Sequence, residues 1–393
     1  MDRSKWEYKK LGEVCTIIGR IGFRGYTKAD FVNNPEEGAI TLSPSNIVKG
    51  EMDFSNCSYI TWQKYEESPE IKIYPGDILL VKTASVGKTA LVKSLPHEAT
   101  INPQFVVLKN IVINNHYLSY CLKSNKAQDY ILSMAKGAVA QTVTQRNLAE
   151  MQLAVPSIED QQRIVTELDC LNEMIAVKQE QLKEFDKLAQ SIFFDMFGDP
   201  SHNEKQWKLK SLKDISNEKL SYGSGASAVT FDGRTRYIRI TDINDNGELN
   251  EDIVSPSVYD EKYLLNDGDI LFARSGATVG KTYCYNSKYG QCIYAGYLIR
   301  LVPNKELVLP SYVFSYTKTP YYRSFVEAAQ RAVAQPNINA KQYGDLLICV
   351  PPLSLQQQFA EKISAIEAQK ELVKQSIAET QSLFNSRMDY FFN

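Results

Sequence analysis

The sequence predicts an α+β protein: two similar mixed α/β domains separated by two long helices that form an antiparallel coiled coil, with pseudo-two-fold symmetry inside one chain. Three observations carry this prediction. A set of motifs occurs twice, in the same order, about 195 residues apart. Each copy reads as short strands followed by helical stretches, and each ends in a long heptad pattern. A repeat of this length is too large for a solenoid unit and fits a duplicated domain.

The copies begin at Trp6, in Trp-Glu-Tyr-Lys-Lys-Leu-Gly-Glu-Val, and at Trp207, in Trp-Lys-Leu-Lys-Ser-Leu-Lys-Asp-Ile. Gly76-Asp77-Ile78-Leu79 recurs as Gly268-Asp269-Ile270-Leu271, and each is followed by Val-Gly-Lys-Thr, at Val86 to Thr89 and Val279 to Thr282. Ala138-Val139-Ala140-Gln141 returns as Ala332-Val333-Ala334-Gln335. Val155-Pro156 and Val350-Pro351 then lead through Gln161-Gln162 and Gln356-Gln357 into the helices. Domain limits follow at 1–157, 158–198 for a central helix, 199–353, and 354–393 for a C-terminal helix.

Within each globular segment, runs such as Cys15 to Ile18, Gly76 to Lys82, Phe105 to Leu108, Tyr237 to Thr241 and Tyr297 to Val302 alternate with Gly, Asn and Pro turns and predict strands. Tyr117 to Ala135 and Ser311 to Ala329 carry apolar residues at helical spacing. From Ile164, the positions Leu168, Leu171, Ile175, Leu182, Phe185 and Ile192 form a heptad seam interrupted at Lys178. Ser157 is placed to cap this helix, and Gly198 and Pro200 mark its end. The second helix has Ser354-Leu355-Gln356-Gln357 in capping-box form and a seam of Phe359, Ile363, Ile366, Val373, Ile377 and Phe384. Aligning the two needs a shift of about four residues, which implies a stutter. At about 39 residues each helix spans roughly 58 Å.

Composition narrows the function classes. With 44 Lys and Arg against 46 Asp and Glu, the net charge is −2, so any nucleic-acid contact depends on local cation clusters. Seven scattered cysteines, none in a Cys-x-x-Cys arrangement, read as reduced thiols, and three histidines make no zinc pattern. No apolar leader or membrane-length stretch is present, so a cytoplasmic protein away from membranes is expected.

The apparent catalytic motifs fail on inspection. A P-loop needs four residues between its first Gly and the Gly-Lys pair, and Lys82 and Ser275 occupy that first position here. Asn102-Pro103-Gln104-Phe105 resembles the tetrapeptide that holds a flipped base in amino-methyltransferases, but its counterpart is Tyr294-Ala295-Gly296-Tyr297 and no Gly-rich cofactor loop accompanies it. It reads as the start of a strand. Glu70-Ile71-Lys72, the possible tail of a nuclease metal motif, loses its carboxylate at Lys262-Tyr263-Leu264 and reads as surface charge.

What does recur is a strand followed by a polar, cationic loop. One copy offers Lys82, Thr83, Ser85 and Lys88, the other Arg274, Ser275, Thr278 and Lys281. A second polar loop brings Gln145, Arg146 and Asn147, or Arg331, Gln335, Asn337, Asn339 and Lys341. Between the Trp and Gly-Asp motifs the copies diverge into basic, glycine-rich stretches that include Arg20, Arg24 and Lys28, and Arg234 and Arg236. These are cations, amides and hydroxyls without a base or nucleophile pair. That inventory suits phosphate and base-edge contacts, because Gln and Asn can pair with adenine and Arg with guanine. The alternative is a solvated hairpin tip and a capped turn.

Over essentially its whole length the chain resembles the specificity subunit of a type I DNA restriction–modification system, with two target-recognition domains. The Trp-x-x-x-x-Leu starts, both Gly-Asp-Ile-Leu and Val-Gly-Lys segments, and both Val-Pro and Gln-Gln helices carry the resemblance, which is closest at Arg274 to Lys281 and at Gln335 to Asn339. In the first copy the loop is one residue shorter, and Gln141-Thr142-Val143-Thr144 lacks the Pro-Asn. The resemblance implies a subunit without catalysis that reads a bipartite, asymmetric site on double-stranded DNA. It further implies two methyltransferase subunits and restriction/translocase subunits as partners, which bring S-adenosylmethionine, ATP and Mg²⁺. The paired helices would act as a ruler of at most roughly 17 base pairs at about 3.4 Å each. Two other classes stay open: a self-contained methyltransferase or nuclease, and a coiled-coil scaffold without DNA.

Overall fold

The computed structural model describes residues 3–22, 25–137, 141–331 and 337–393, and it falls into two units, residues 1–178 with 376–393 and residues 179–375. The long helices run over Ile158–Phe197 and Leu353–Phe392, 40 residues each, so each unit holds a portion of both.

In the first unit, the strand opened by Trp6, Glu7–Lys10, pairs antiparallel with Gln152–Val155, which delivers the chain to the Val-Pro step. A four-stranded antiparallel sheet runs in the order Thr89–Leu91, Ile78–Val81, Phe105–Lys109, Thr16–Ile18. Every residue of Ile78–Val81 is buried, so this strand has apolar partners on both faces. One face meets the helices, and the other meets a five-stranded sheet in which Gly38–Leu42 lies parallel to Ala99–Ile101.

The second unit repeats this order as Thr282–Cys284, Ile270–Ala273, Leu298–Leu301, Ser221–Tyr222. Lys208–Ser211 pairs with Leu347–Val350, and Thr235–Ile238 lies parallel to Gln291–Tyr294. The duplication is therefore one of topology as well as of sequence.

The Gly-Asp motif builds the same turn twice. Gly76 and Gly268 have φ of +97° and +93°, where a Cβ is disfavoured. The following carboxylates accept from backbone N–H three residues back, Tyr74 N to Asp77 at 2.9 Å and Asn266 N to Asp269 at 2.8 Å.

Over 117–135 and 311–329, where apolar residues follow helical spacing, the structure has helices, in each case as a pair. Asn115–Lys123 gives way to Asn125–Met134 at Ser124, which is extended and caps the second helix through Ala127 N. Pro310–Tyr316 gives way to Pro320–Arg331, since a proline at the first helical turn disfavours a helical residue before it.

Ser157 caps the first long helix through Asp160 N at 3.2 Å. The capping box expected at Ser354 is not formed. The helix begins one residue earlier, and the Pro352 carbonyl takes Leu355 N and Gln356 N at 3.0 and 3.1 Å, leaving Ser354 inside the first turn.

Within the first unit, Ile164, Leu168, Leu171 and Ile175 are buried and Ile377 and Phe384 half-buried. Lys178 donates to Thr380 Oγ1 at 2.8 Å, and Arg387 pairs with Glu167, so the two helix portions run antiparallel. Within the second, Phe359 and Ile366 are buried, while Leu182, Phe185, Ile192, Ile363 and Val373 are half-buried. Lys370 reaches Asp186 at 2.8 Å and Glu367 at 3.1 Å. Polar seam residues with matched partners favour one register over its neighbours.

Phe193, not Ile192, enters the core of the second unit, where Phe193, Phe197, Tyr312, Tyr316 and Phe359 form an aromatic cluster. Phe185, Ala189, Phe193 and Phe197 step by four, the spacing a stutter produces.

Candidate nucleic-acid interface

The Val-Gly-Lys-Thr segments are hairpin loops. In the first unit the loop joins Ile78–Val81 to Thr89–Leu91, and in the second Ile270–Ala273 to Thr282–Cys284. Neither leads directly into an α-helix, so the helix N-terminus that a phosphate loop uses is missing. The two glycines, Gly87 (φ +93°) and Gly280 (φ +86°), close the loops by donating to Val81 O and Ala273 O, both at 3.0 Å.

The second polar loop docks onto the first in both units through the same backbone bonds. Lys82 N donates to Gln104 O at 2.7 Å and Val143 N to Lys82 O at 2.9 Å. Arg274 N donates to Tyr297 O at 3.0 Å and Ile338 N to Arg274 O at 2.8 Å. Thr83 bridges Thr142, and Ser275 bridges Asn337.

In the first unit this contact gathers Lys82, Thr83, Thr142 and Gln145. A Cβ on Gly19 would lie 2.6 Å from Gln145 Nε2 and 3.5 Å from Lys82 Nζ, so the strand end at Gly19 is open because glycine is there. Lys82 is half-buried, and burial pushes its pKa down. Thr144 caps the short helix Gln145–Ala149 through Asn147 N, and Gln145 and Arg146 are exposed on it. Lys88 and Lys28 are exposed; Ser85 and Asn147 are half-buried.

In the second unit, the Arg274 guanidinium sits over the Tyr222 ring at 4.6 Å and donates from Nε to Asn337 Oδ1 at 3.2 Å. Tyr222 is itself held by Ala340 N, which donates to its hydroxyl at 3.0 Å. Asn339 caps Ala340–Asp345 through Gln342 N at 2.9 Å, which occupies its carbonyl oxygen. Thr278 Oγ1 turns inward to Ser275 O. Lys281 forms an ion pair with the exposed Asp245 at 3.0 Å. Arg331 and Lys341 are exposed, Arg331 within 3.5 Å of Glu327.

The divergent basic stretches separate by burial. Arg20 is 6% exposed and donates to Ile101 O and Thr100 Oγ1. Arg236 is 9% exposed and donates to Asn250 O at 2.7 Å. Arg234 is exposed. Arg24 and Gln335 lie outside the described residues. The sequence did not single out Tyr222, Gln104 or Tyr297 as site residues. The only signal for Tyr222 is its place in a glycine-rich stretch that opens a basic segment, and nothing in spacing places it beside Arg274, 52 residues away.

Beside this loop the second unit has a cavity of about 850 Å³ lined by Lys281, Phe314, Lys318, Thr319, Tyr322 and Arg323, among others. Burial pushes the Lys318 ammonium down to about 8, against Asp186, Asp245 and Glu248, which favour its charge, and Lys370, which does not. With a folded pKa below the unfolded value, the unfolded chain holds more protons between about pH 8 and pH 10.5, so stability rises with pH across that window. The cost is fully present below it. Lys318→Met is expected to raise Tm at pH 7 and to abolish the part of the rise that depends on this group. Parallel Tm curves of variant and wild type from pH 7 to 10.5 would contradict this.

Among the described residues, no group of His, Cys, Asp and Glu is placed to hold a metal ion, and no helix is long and apolar enough to cross a membrane. The buried Cys15 and Cys121 and the half-buried Cys284 have thiol pKa values raised by desolvation to about 12, unlike activated nucleophiles.

The family model for the type I restriction modification DNA specificity domain matches the chain twice, over residues 3–185 and 204–381. A putative type I restriction enzyme specificity subunit, MjaX, of Methanocaldococcus jannaschii is 23% identical over 382 residues, covering 92% of this chain and 87% of that protein. The StySPI specificity subunit of Salmonella potsdam is 20% identical, covering 98% and 88%. Among solved structures, a chain from a study of complex assembly and conformational transition of the type I R-M system matches with a TM-score of 0.58 at 20% identity, covering 99% of this chain and 97% of its own. The type I S subunit from M. genitalium matches with a TM-score of 0.54 at 13% identity, covering 99% and 96%. At these identities the structures speak for the fold, and the doubled family match decides membership: the chain belongs to the type I restriction–modification DNA specificity family and carries two of its specificity domains.

Proposed function

We propose that this chain is the sequence-reading adaptor of a multisubunit type I restriction–modification complex. Each unit reads one half of a bipartite, asymmetric duplex site. The chain performs no chemistry and places two methyltransferase subunits, with the restriction/translocase subunits, on that site in the cytoplasm. S-adenosylmethionine, ATP and Mg²⁺ belong to those partners, and the long helices set the spacing between half-sites and offer the docking surface.

The observation that carries this reading is the repeated docking of a cation-bearing hairpin loop and an amide-rich loop on one sheet, with no metal-binding cluster among the described residues. Such a surface suits binding and discrimination, and in this reading the bond-making groups belong to the partner subunits.

The test is reconstitution. Purified chain with S-adenosylmethionine, or with Mg²⁺ and ATP, is expected to leave DNA unmodified and uncut. Adding the methyltransferase subunits should yield methylation of target duplexes and none of scrambled ones. Modification by the purified chain alone would make it an enzyme. Equal binding of target and scrambled duplexes by the assembled complex would leave it a scaffold.

A further inference from the structure

Many cations in this molecule already face a carboxylate. Lys109 meets Asp77 at 2.6 Å, Arg239 meets Asp242 and Asp252 at 2.7 Å each, Arg300 meets Glu218 at 2.6 Å, and Lys281 meets Asp245 at 3.0 Å. Lys82 and Arg274 differ from these. Both are half-buried at the end of the strand that begins with the Gly-Asp turn, and among the described residues neither has an acidic partner.

They also occupy one place in two copies of the same scaffold. The backbone N–H of each donates to the strand beside it, at Gln104 or Tyr297, and the carbonyl of each accepts from the second polar loop, at Val143 or Ile338. The side chains around that place have changed. Thr83 stands opposite Ser275 in the comparison, Gln104 opposite Tyr297, and Thr142 opposite Asn337. A cation is kept where its neighbours are not. A side chain that reads a base has to change when the recognised base changes, whereas one that meets the sugar-phosphate backbone meets the same group in every duplex.

Resting on the DNA-reading function proposed above, we propose that Lys82 and Arg274 are positional equivalents that each clamp one backbone phosphate, independently of sequence, and thereby fix the register in which the divergent loops of their own unit meet the bases. Arg274 is prepared for this role. Its plane rests on Tyr222 and its Nε is occupied by Asn337, which leaves the two terminal nitrogens of the fork for a phosphate. Lys82 is held beside Gln145 at the gap left by Gly19, and its partial burial without a counter-charge makes an arriving anion favourable.

A methylphosphonate scan tests the clamps. The complex of the full chain with its methyltransferase subunits is titrated with duplexes carrying the methylated genomic motif, in which single phosphates are replaced in turn by neutral methylphosphonates, and with a scrambled duplex. In wild type, one replacement in each half-site should weaken binding about tenfold. Arg274→Gln should weaken motif and scrambled duplexes alike by about tenfold, with a salt slope shallower by about one, and should lose sensitivity to the methylphosphonate in the second unit's half-site alone. Lys82→Gln should do the same in the other half-site. Arg274→Lys, which keeps the charge but not the fork, should keep the salt slope and the methylphosphonate sensitivity and lose less binding than Arg274→Gln.

A loss confined to the motif duplex, or a methylated motif relaxed at one base pair, would make the residue a base reader and overturn the clamp. Unchanged sensitivity at every phosphate would overturn it too. Absence of any motif preference in the wild-type complex would instead contradict the DNA-reading function, and the affinity and salt slope of Arg274→Gln and Lys82→Gln on the scrambled duplex would still decide the phosphate contact.

Discussion

Replacing Gln356 by Leu is expected to cost the second unit roughly 3–5 kcal/mol, one of the two largest effects foreseen for a change in this chain. Gln356 is completely buried at the start of the C-terminal helix. Its Oε1 accepts from Leu309 N at 2.8 Å, while its Nε2 donates to Leu307 O at 3.0 Å and Pro351 O at 2.8 Å. Leucine has a similar volume and none of these bonds, so three buried or part-buried backbone groups lose the partner that a fully buried side chain gave them.

The first unit contains the same device. Gln161 is 3% exposed, accepts from Asn114 N at 2.8 Å and donates to Pro156 O at 2.9 Å. With two groups to satisfy instead of three, Gln161→Leu should cost less, roughly 2–4 kcal/mol. Denaturant unfolding of the full chain, with hydrogen exchange at the Leu309 amide, reads both changes. A loss below about 1 kcal/mol in Gln356→Leu would show that these bonds do not hold the helix start to its domain.

These glutamines show why much of the fold was legible from sequence. Each copy of the motif set had to rebuild the same buried contacts, so Gly-Asp, Val-Gly-Lys and Gln-Gln persisted where backbone groups or a positive φ demanded particular residues. Tyr117 and Tyr312 belong to the same class, donating to Ala154 O and Cys349 O, both at 2.7 Å. Heptad spacing likewise placed Ile164, Leu168, Phe359 and Ile366 in the interior.

The remainder was hidden for local reasons. The breaks at Ser124 and Pro320 interrupt stretches whose apolar spacing continues across them, and a periodic pattern does not register a one-residue change of direction. Ser354 met the sequence rule for a capping box, but Pro352 began the helix a residue sooner.

The candidate interface was legible in part. Recurrence identified both hairpin loops, because their strands and glycines are framework. It could not foresee that Arg20 and Arg236 fold inward while Arg234 faces solvent, since a basic run has no periodicity to distinguish its faces. Nor could it bring Tyr222 to Arg274. That contact depends on Ser221–Tyr222 pairing with Leu298–Leu301 at the edge of the sheet, which is a property of topology.

The second large effect concerns the organism's DNA. If this chain supplies the sequence specificity of the complex, the partner subunits have no other means of choosing their sites, and removing the chain should abolish a whole class of modification. The direct measurement is a genome-wide map of methylated adenine with and without the gene. One bipartite motif, two short specific halves around an unspecified spacer, is expected to be methylated when the gene is present and to be unmethylated throughout the genome when it is deleted. Persistence of the same methylated motifs after deletion would contradict the account.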